Sequence, residues 1–318
     1  VQRVSVVPVV DLDDDGAARQ VARACADVGF LAVTGHGVPT AVLDAAWRTA
    51  TDFFDMPLDQ RMQVVMPRPG YPYGYSPLAG ETLAASLGDV APPDVKESLA
   101  IGPVDPPTHT FADDDEAFAW SPNLWPAALP ELRPAWEVCY REMAALAARL
   151  LGVMASALGL PSDYFEPLIH RHTSAMRALR YPGADQLPVV DGHWGASGHT
   201  DYGTLTVLLA DPHEPGLEVV GADGHWHGVH PPRGALVVNL GDAMARWTND
   251  RWRSTVHRVV RPAHQRQSIA FFHNANWDAM IECLPTCLGE DELPKYPPMA
   301  AGPHLMHKFR ATVNSSPE

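Results

Sequence analysis

Apolar positions along this chain follow two different periods. In the first half they recur at helical spacing. Val21, Cys25 and Val28 predict a helix that Gly29 ends, after a β-rich stretch at 7–12 and the acids Asp13-Asp14-Asp15 as its capping residues. Val42, Ala46, Trp47, Ala50 and Phe54 mark one face of a second helix over 40–54, and Pro57 follows it. Val138, Met143, Leu146, Leu150, Val153 and Leu158 give the longest helical stripe, over 131–160, stopped by Gly159 and Pro161. Between these helices, prolines scattered over 67–126 preclude long elements. Tyr71, Tyr73 and Tyr75 alternate there, as a short strand or an aromatic lip over a pocket would; ordinary packing is the other reading.

From Met176 onward the period changes. Short β-prone runs at 176–181, 204–209, 217–220, 226–229, 235–240, 253–260 and 267–273 are separated by turn residues. Ala222-Asp223-Gly224 signals a hairpin. Many short strands punctuated this way predict a sandwich or jelly roll with the helices flanking it, a mainly β, α+β protein. No repeat or linker composition divides it. The expected organisation is one compact unit over 1–318. It comprises an N-terminal α/β lead-in (5–125), a backing helix region (126–172), a β core (173–275) and a C-terminal segment (276–318) whose basic end reads as a solvated helix or tail.

Composition narrows the partners. The hydrophobic content of 46% is that of a globular chain, and the formal charge of −15 disfavours nucleic acid or an anionic membrane surface. The cysteines Cys25, Cys139, Cys283 and Cys287 lack paired metal-site spacing and read as free thiols. With no apolar run of membrane length and no leader pattern, a reducing cytoplasm is the expected setting. A small-molecule substrate and a monomer or weak homo-oligomer are the expected partners.

The chemistry concentrates between 197 and 272. His199 and Asp201 stand two apart, and an i, i+2 pair on a strand projects to one side. Their Cα atoms would lie roughly 6.6 Å apart, close enough to share a metal. His257, in a second strand-like run, is the expected third ligand. Two imidazoles and a carboxylate on one side of an iron leave the other side open, as in non-haem Fe(II) oxygenases. Downstream, Arg266 and Ser268 share a strand face that a hairpin would set beside His257. A guanidinium with a neighbouring hydroxyl suits a carboxylate, so an anchored 2-oxo acid is expected at the metal. The competing pair His225 and His227 follows an exposed Asp-Gly turn with no carboxylate receptor after it. His36, between two glycines, reads as structural.

His199-x-Asp201, His257 and Arg266-x-Ser268, in that order, resemble the Fe(II)/2-oxoglutarate-dependent dioxygenases of the isopenicillin N synthase-like family. The resemblance spans nearly the whole chain. It includes 7–12, 28–39, Phe53-Phe54-Asp55-Met56-Pro57, Gly74-Tyr75, Lys96-Glu97, Asn123-Leu124-Trp125-Pro126, Asn239-Leu240-Gly241-Asp242 and Trp247-Thr248-Asn249.

What the resemblance implies is a double-stranded β-helix core and catalysis with Fe(II), 2-oxoglutarate and O₂, with ascorbate as a supporting reductant. His199, Asp201 and His257 would hold the iron. Arg266, Ser268 and Tyr181 would take the distal carboxylate, and turnover would yield succinate, CO₂ and a hydroxylated, desaturated or cyclised product. An apolar wall of Leu205, Val207, Val238 and Phe272 would exclude water, with Tyr73, Tyr75 and Phe272 toward the substrate. The chain departs from many relatives in having Leu179 two positions before Tyr181, where they carry Asn. It also has Asn249-Asp250 where they have Asn-Gly, a turn that Asp tolerates. Arg177 shares a face with Tyr181 and would point inward, toward an acidic or carbonyl group or paired with a carboxylate. Isopenicillin N synthase keeps the Arg-x-Ser pair for its own substrate, so an oxidase that needs no 2-oxoglutarate stays open. So does a non-catalytic ligand-binding protein on this fold.

Overall fold

The computed structural model describes residues 6–313 except 69, 79, 81–82, 85–87, 89–91 and 106. Its lead-in runs β1 (Val9–Asp11), α1 (Ala17–Asp27), β2 (Phe30–Thr34), α2 (Thr40–Asp55) and α3 (Leu58–Arg61). There follow β3 (Gly74–Ser76), β4 (Glu97–Ile101), α4 (Asp114–Ala119), α5 (Leu132–Ala157) and α6 (Glu166–Ile169). The β-rich part contains β5 (Ala175–Tyr181), β6 (Ala196–His199), β7 (Leu205–Leu209), β8 (Leu217–Val220), β9 (Trp226–Gly228) and β10 (Leu236–Leu240). It continues with α7 (Asp242–Trp247), β11 (His257–Val259) and β12 (Arg266–His273), and β13 (Met280–Ile281), β14 (Met299–Ala300) and α8 (Ala301–Val313) close the chain.

Eight strands pair in the order β1-β2-β10-β7-β12-β5-β4-β3, and a smaller sheet runs β6-β11-β8-β9. The lead-in therefore contributes four strands to the major sheet. Side chains alternate across it. Val207, Val238, Ile269, Phe271, Met176 and Ala178 point to the outer face and join the main core under α2 and α5. Helix α5 buries Leu132, Trp136, Met143, Leu146 and Leu150 there, each such side chain stabilising by about 1.5–3 kcal/mol. Leu179, Tyr181, Ala270, Leu208 and Phe272 point inward, where they meet Ala196 and Val259 of the small sheet. Among the described residues no helix is long and apolar enough to cross a membrane.

Several expectations change. Val138 is 44% exposed, outside the stripe that α5 buries. The acids before α1 do not cap it: Asp14 accepts from Gly16 N, and Gly16 takes the cap position. Strand β6 forms from four short residues that carry no β-propensity, so its sequence gave no sign of it. The basic C-terminal end is docked as part of α8, with His304 and Met306 buried and Lys308 Nζ 2.8 Å from Asp242. Asn249 and Asp250 both adopt positive φ, at 52° and 62°, as the turn required. His36 braces loops, its Nε2 2.9 Å from the Gly234 carbonyl.

Candidate active site

Three elements bring the ligating residues together. His199 ends β6, His257 opens β11, and the two are directly paired across the small sheet. Their ring centroids lie 4.3 Å apart. Asp201 follows in the turn before β7, so it does not continue a strand with His199, and the same-strand argument for that pair is corrected here. The turn returns Asp201 to both imidazoles: its Oδ1 lies 4.0 Å from His199 Nε2 and 3.9 Å from His257 Nε2. The three donor atoms all fall within 4.8 Å of one another.

The remaining polar atoms of the triad are already engaged. His199 Nδ1 is 2.7 Å from the Ser197 carbonyl and His257 Nδ1 is 3.1 Å from the Thr255 carbonyl. A ring nitrogen facing a carbonyl must be the protonated one, which leaves each Nε2 lone pair for a metal. Asp201 Oδ2 accepts from Thr206 Oγ1 at 2.6 Å and Asn239 Nδ2 at 2.7 Å. Burial, and then His257, lower the His199 pKa to about 4 against the pull of Asp201. Burial alone would raise the Asp201 carboxyl. His257, His199 and the Asn239 and Thr206 hydrogen bonds outweigh it and hold the carboxyl below its ordinary range. A neutral imidazole beside a carboxylate, with a second imidazole, is a donor set that fits Fe(II).

Sequence reasoning missed Thr206 and assigned Asn239 no role. The available signal was a polar residue inside an apolar strand (Leu236-Val237-Val238-Asn239-Leu240), since a buried amide requires a partner.

Arg266 opens β12 opposite Tyr181 and stacks on its ring, with the guanidinium carbon 5.0 Å from the ring centroid. It is 2% exposed. Its Nη1 stands 3.5 Å from Ser268 Oγ, and its Nε has no hydrogen-bond partner among the described residues. A buried guanidinium that meets no carboxylate among the described residues fits the far carboxylate of a dicarboxylic oxo acid. The expected hairpin is absent, because β11 belongs to the small sheet and β12 to the major one. Arg266 instead lies against Gly216, just before β8 of the small sheet.

Phe272 pairs with Thr206, the residue bonded to Asp201, and Arg177 pairs with Ala270 midway along the same inner face. Arg180 points outward to Glu97 and Asp55. Two expected substrate residues are corrected. Tyr75 lies on the outer face, packed on Phe53 with its hydroxyl donating to Glu97. Tyr73 is buried against Gly102, with its hydroxyl donating to the Ala119 carbonyl at 2.5 Å. Both are packing residues. The expected apolar wall is corrected too: Leu205, Val207 and Val238 join the outer core. Only Phe272 of that set faces inward, with Leu179, Leu208 and Ala270. The rival His227 is held by Asp223 on the exposed β8–β9 hairpin.

Residues 7–128 match the family described as "non-haem dioxygenase in morphine synthesis N-terminal", and 172–275 match the 2OG-Fe(II) oxygenase superfamily. The 2-oxoglutarate-Fe(II) type oxidoreductase hxnY of Emericella nidulans is 35% identical, over 92% of this chain and 86% of its own length. Validamycin A dioxygenase of Streptomyces hygroscopicus subsp. limoneus is 33% identical, over 89% of this chain and 80% of its own. A full-length Neurospora crassa protein crystallised with alpha-KG and thymine superposes with a TM-score of 0.83 at 27% identity, covering 98% of both chains. This chain belongs to the Fe(II)- and 2-oxoglutarate-dependent dioxygenases of the isopenicillin N synthase-like type.

Proposed function

We propose that His199, Asp201 and His257 hold the Fe(II) and that Arg266, Ser268 and Tyr181 take the distal carboxylate of 2-oxoglutarate. The observation that carries this reading is the pairing of a convergent three-donor site with a buried guanidinium whose Nε has no partner among the described residues. When bound, iron and 2-oxoglutarate supply an oxidative decarboxylation that yields succinate and CO₂ and leaves one oxygen atom for a substrate C–H bond. The protein's part is to position and to shield. Thr206 and Asn239 keep Asp201 aimed, and the Ser197 and Thr255 carbonyls keep both imidazoles in the tautomer with a free Nε2. Tyr181 fixes the plane of the Arg266 fork by stacking on it. Leu179, Leu208, Ala270 and Phe272 keep water from the space between the sheets.

The substrate is a small molecule that enters between the sheets beside Phe272, with Arg177 facing an acidic or carbonyl group of it. Hydroxylation is the default outcome. A relative named as a validamycin A dioxygenase, and a structural neighbour crystallised with thymine, support a small-molecule substrate. The test is O₂ uptake with iron, 2-oxoglutarate and a substrate panel, with succinate quantified. One succinate per O₂ supports the reading. Substrate oxidation without succinate would replace it with a 2-oxoglutarate-independent oxidase. An Arg177→Gln variant with unchanged KM for both substrate and 2-oxoglutarate would remove Arg177 from the site.

A further inference from the structure

A buried ion pair lies beside the metal-binding strand, outside the site described above. Asp94 and Lys96 are 1% and 3% exposed, with Lys96 Nζ 2.8 Å from Asp94 Oδ2. Charges this deeply buried are retained only where their hydrogen bonds are well satisfied, and those of Asp94 are. Its Oδ1 accepts from Ser197 N at 2.8 Å and from Ser197 Oγ at 2.6 Å, and its Oδ2 also accepts from Leu83 N at 3.1 Å. Ser197 Oγ in turn accepts from Ala84 N at 3.0 Å. One carboxylate thus joins the approach to β4, the 83–84 turn and strand β6. These contacts end on Ser197, whose carbonyl holds His199 Nδ1.

We propose that Asp94, charge-balanced by Lys96, is a positioning residue for the iron ligand His199: it fixes Ser197, and Ser197 fixes the ring and tautomer of the imidazole. Strand β6 has little else to hold it. It is four residues long, at the edge of the small sheet, with Gly198 among them, and its ladder to β11 is interrupted between His257 and Val259. An edge strand this short does not set a ligand's orientation by backbone pairing alone. The inference rests on His199 being a ligand, as proposed above.

The experiment is anaerobic Co(II) titration of the metal-free full chain, read by calorimetry and by the cobalt ligand-field spectrum. His199→Ala serves as the reference for losing the ligand itself. Asp94→Asn is expected to weaken Co(II) binding by about 10–100-fold and to alter the spectrum, while 2-oxoglutarate affinity at saturating metal is unchanged. Glu97→Gln, a partly buried charge at the start of β4 that pairs with Arg61 and Arg180, is expected to lower the melting temperature yet keep wild-type Co(II) affinity. Should Asp94→Asn fail to fold, Asp94→Asn/Lys96→Met removes both charges and is read the same way. Ser197→Ala keeps the backbone contact and should show a smaller loss in the same direction. Wild-type Co(II) affinity in the folded Asp94 variant, or in Ser197→Ala if neither Asp94 variant folds, overturns the proposal. Wild-type affinity in His199→Ala would instead overturn the ligand assignment.

Discussion

At the scale of the residue, the two oxygens of Asp201 do different work. Oδ2 is committed to Thr206 and Asn239, and Oδ1 faces both imidazoles. Asn239→Leu, similar in volume and unable to donate, should leave Asp201 free to rotate and weaken Fe(II) binding by about 10–100-fold. Anaerobic titration followed by quenching of tryptophan fluorescence reads this directly; unchanged affinity would mean that Asn239 does not orient the ligand. Arg266→Lys keeps the charge but loses the fork and the stack on Tyr181. Since disturbing a buried charge pair costs about 2–5 kcal/mol, the KM for 2-oxoglutarate should rise at least ~30-fold with the substrate KM little changed. The identity of these residues was legible in the chain because ligating and anchoring chemistry admits few residue types. Their neighbours were less so. A single polar residue in an apolar strand marks a buried hydrogen bond without naming its partner, and Thr206 finds Asp201 only once the turn between them has closed.

At the scale of the element, the metal site depends on a close approach between two backbones. A Cβ on Gly241 would stand 2.2 Å from the Gly203 carbonyl oxygen, within the turn that carries Asp201. Gly241 N and Asp242 N also bond the Thr204 and Asp201 carbonyls. Gly241→Ala must therefore push this turn away from the start of α7, at a cost of about 1–3 kcal/mol. Both a lower melting temperature and weaker metal binding are expected; loss of stability with wild-type metal affinity would separate the turn from the site. Long helices and β-branched strands were readable because their periods repeat. The strands β4 and β6 were not, since their few residues lie among prolines and small side chains and gain strand geometry only from their neighbours; β3 was legible only as one of the readings of the alternating tyrosines. The switch between sheets from β11 to β12 was hidden for a related reason: the turn at 261–265 has the composition of a hairpin, and only the closure of two sheets sends its arms apart.

At the scale of the whole molecule, the long helix α5 and the major sheet enclose polar groups outside the metal-ligand set. His172 stacks near Tyr140 and His273, and its Nδ1 is buried without a partner among the described residues. Burial lowers its pKa to about 4, opposed by Asp105, and burial together with His172 pushes His273 well down. Because the folded pKa lies below that of the unfolded chain, the unfolded state binds more protons at intermediate pH. Stability from His172 is complete above about pH 6.5 and is lost as pH falls toward 4, by on the order of 2–3 kcal/mol. Melting temperatures across pH 7 to 4 should show this fall, with a shallower slope in His172→Leu; an identical slope would place the acid sensitivity elsewhere. The mainly β class and the flanking helices were visible in the two periods of the chain. What hid the docking of α8 was its polarity, because Lys308 in its basic end read as solvated until Asp242 supplies its partner.

In the proposed site, His199, Asp201 and His257 bind one metal that also accepts 2-oxoglutarate anchored by Arg266. Anaerobic titration of the Fe(II)-loaded protein with 2-oxoglutarate, followed by the visible charge-transfer band of the chelate, tests this directly. The band should grow to one equivalent in the wild type, be absent in His257→Ala, and need far more 2-oxoglutarate in Arg266→Gln. A full band in His257→Ala, or wild-type 2-oxoglutarate affinity in Arg266→Gln, would contradict it.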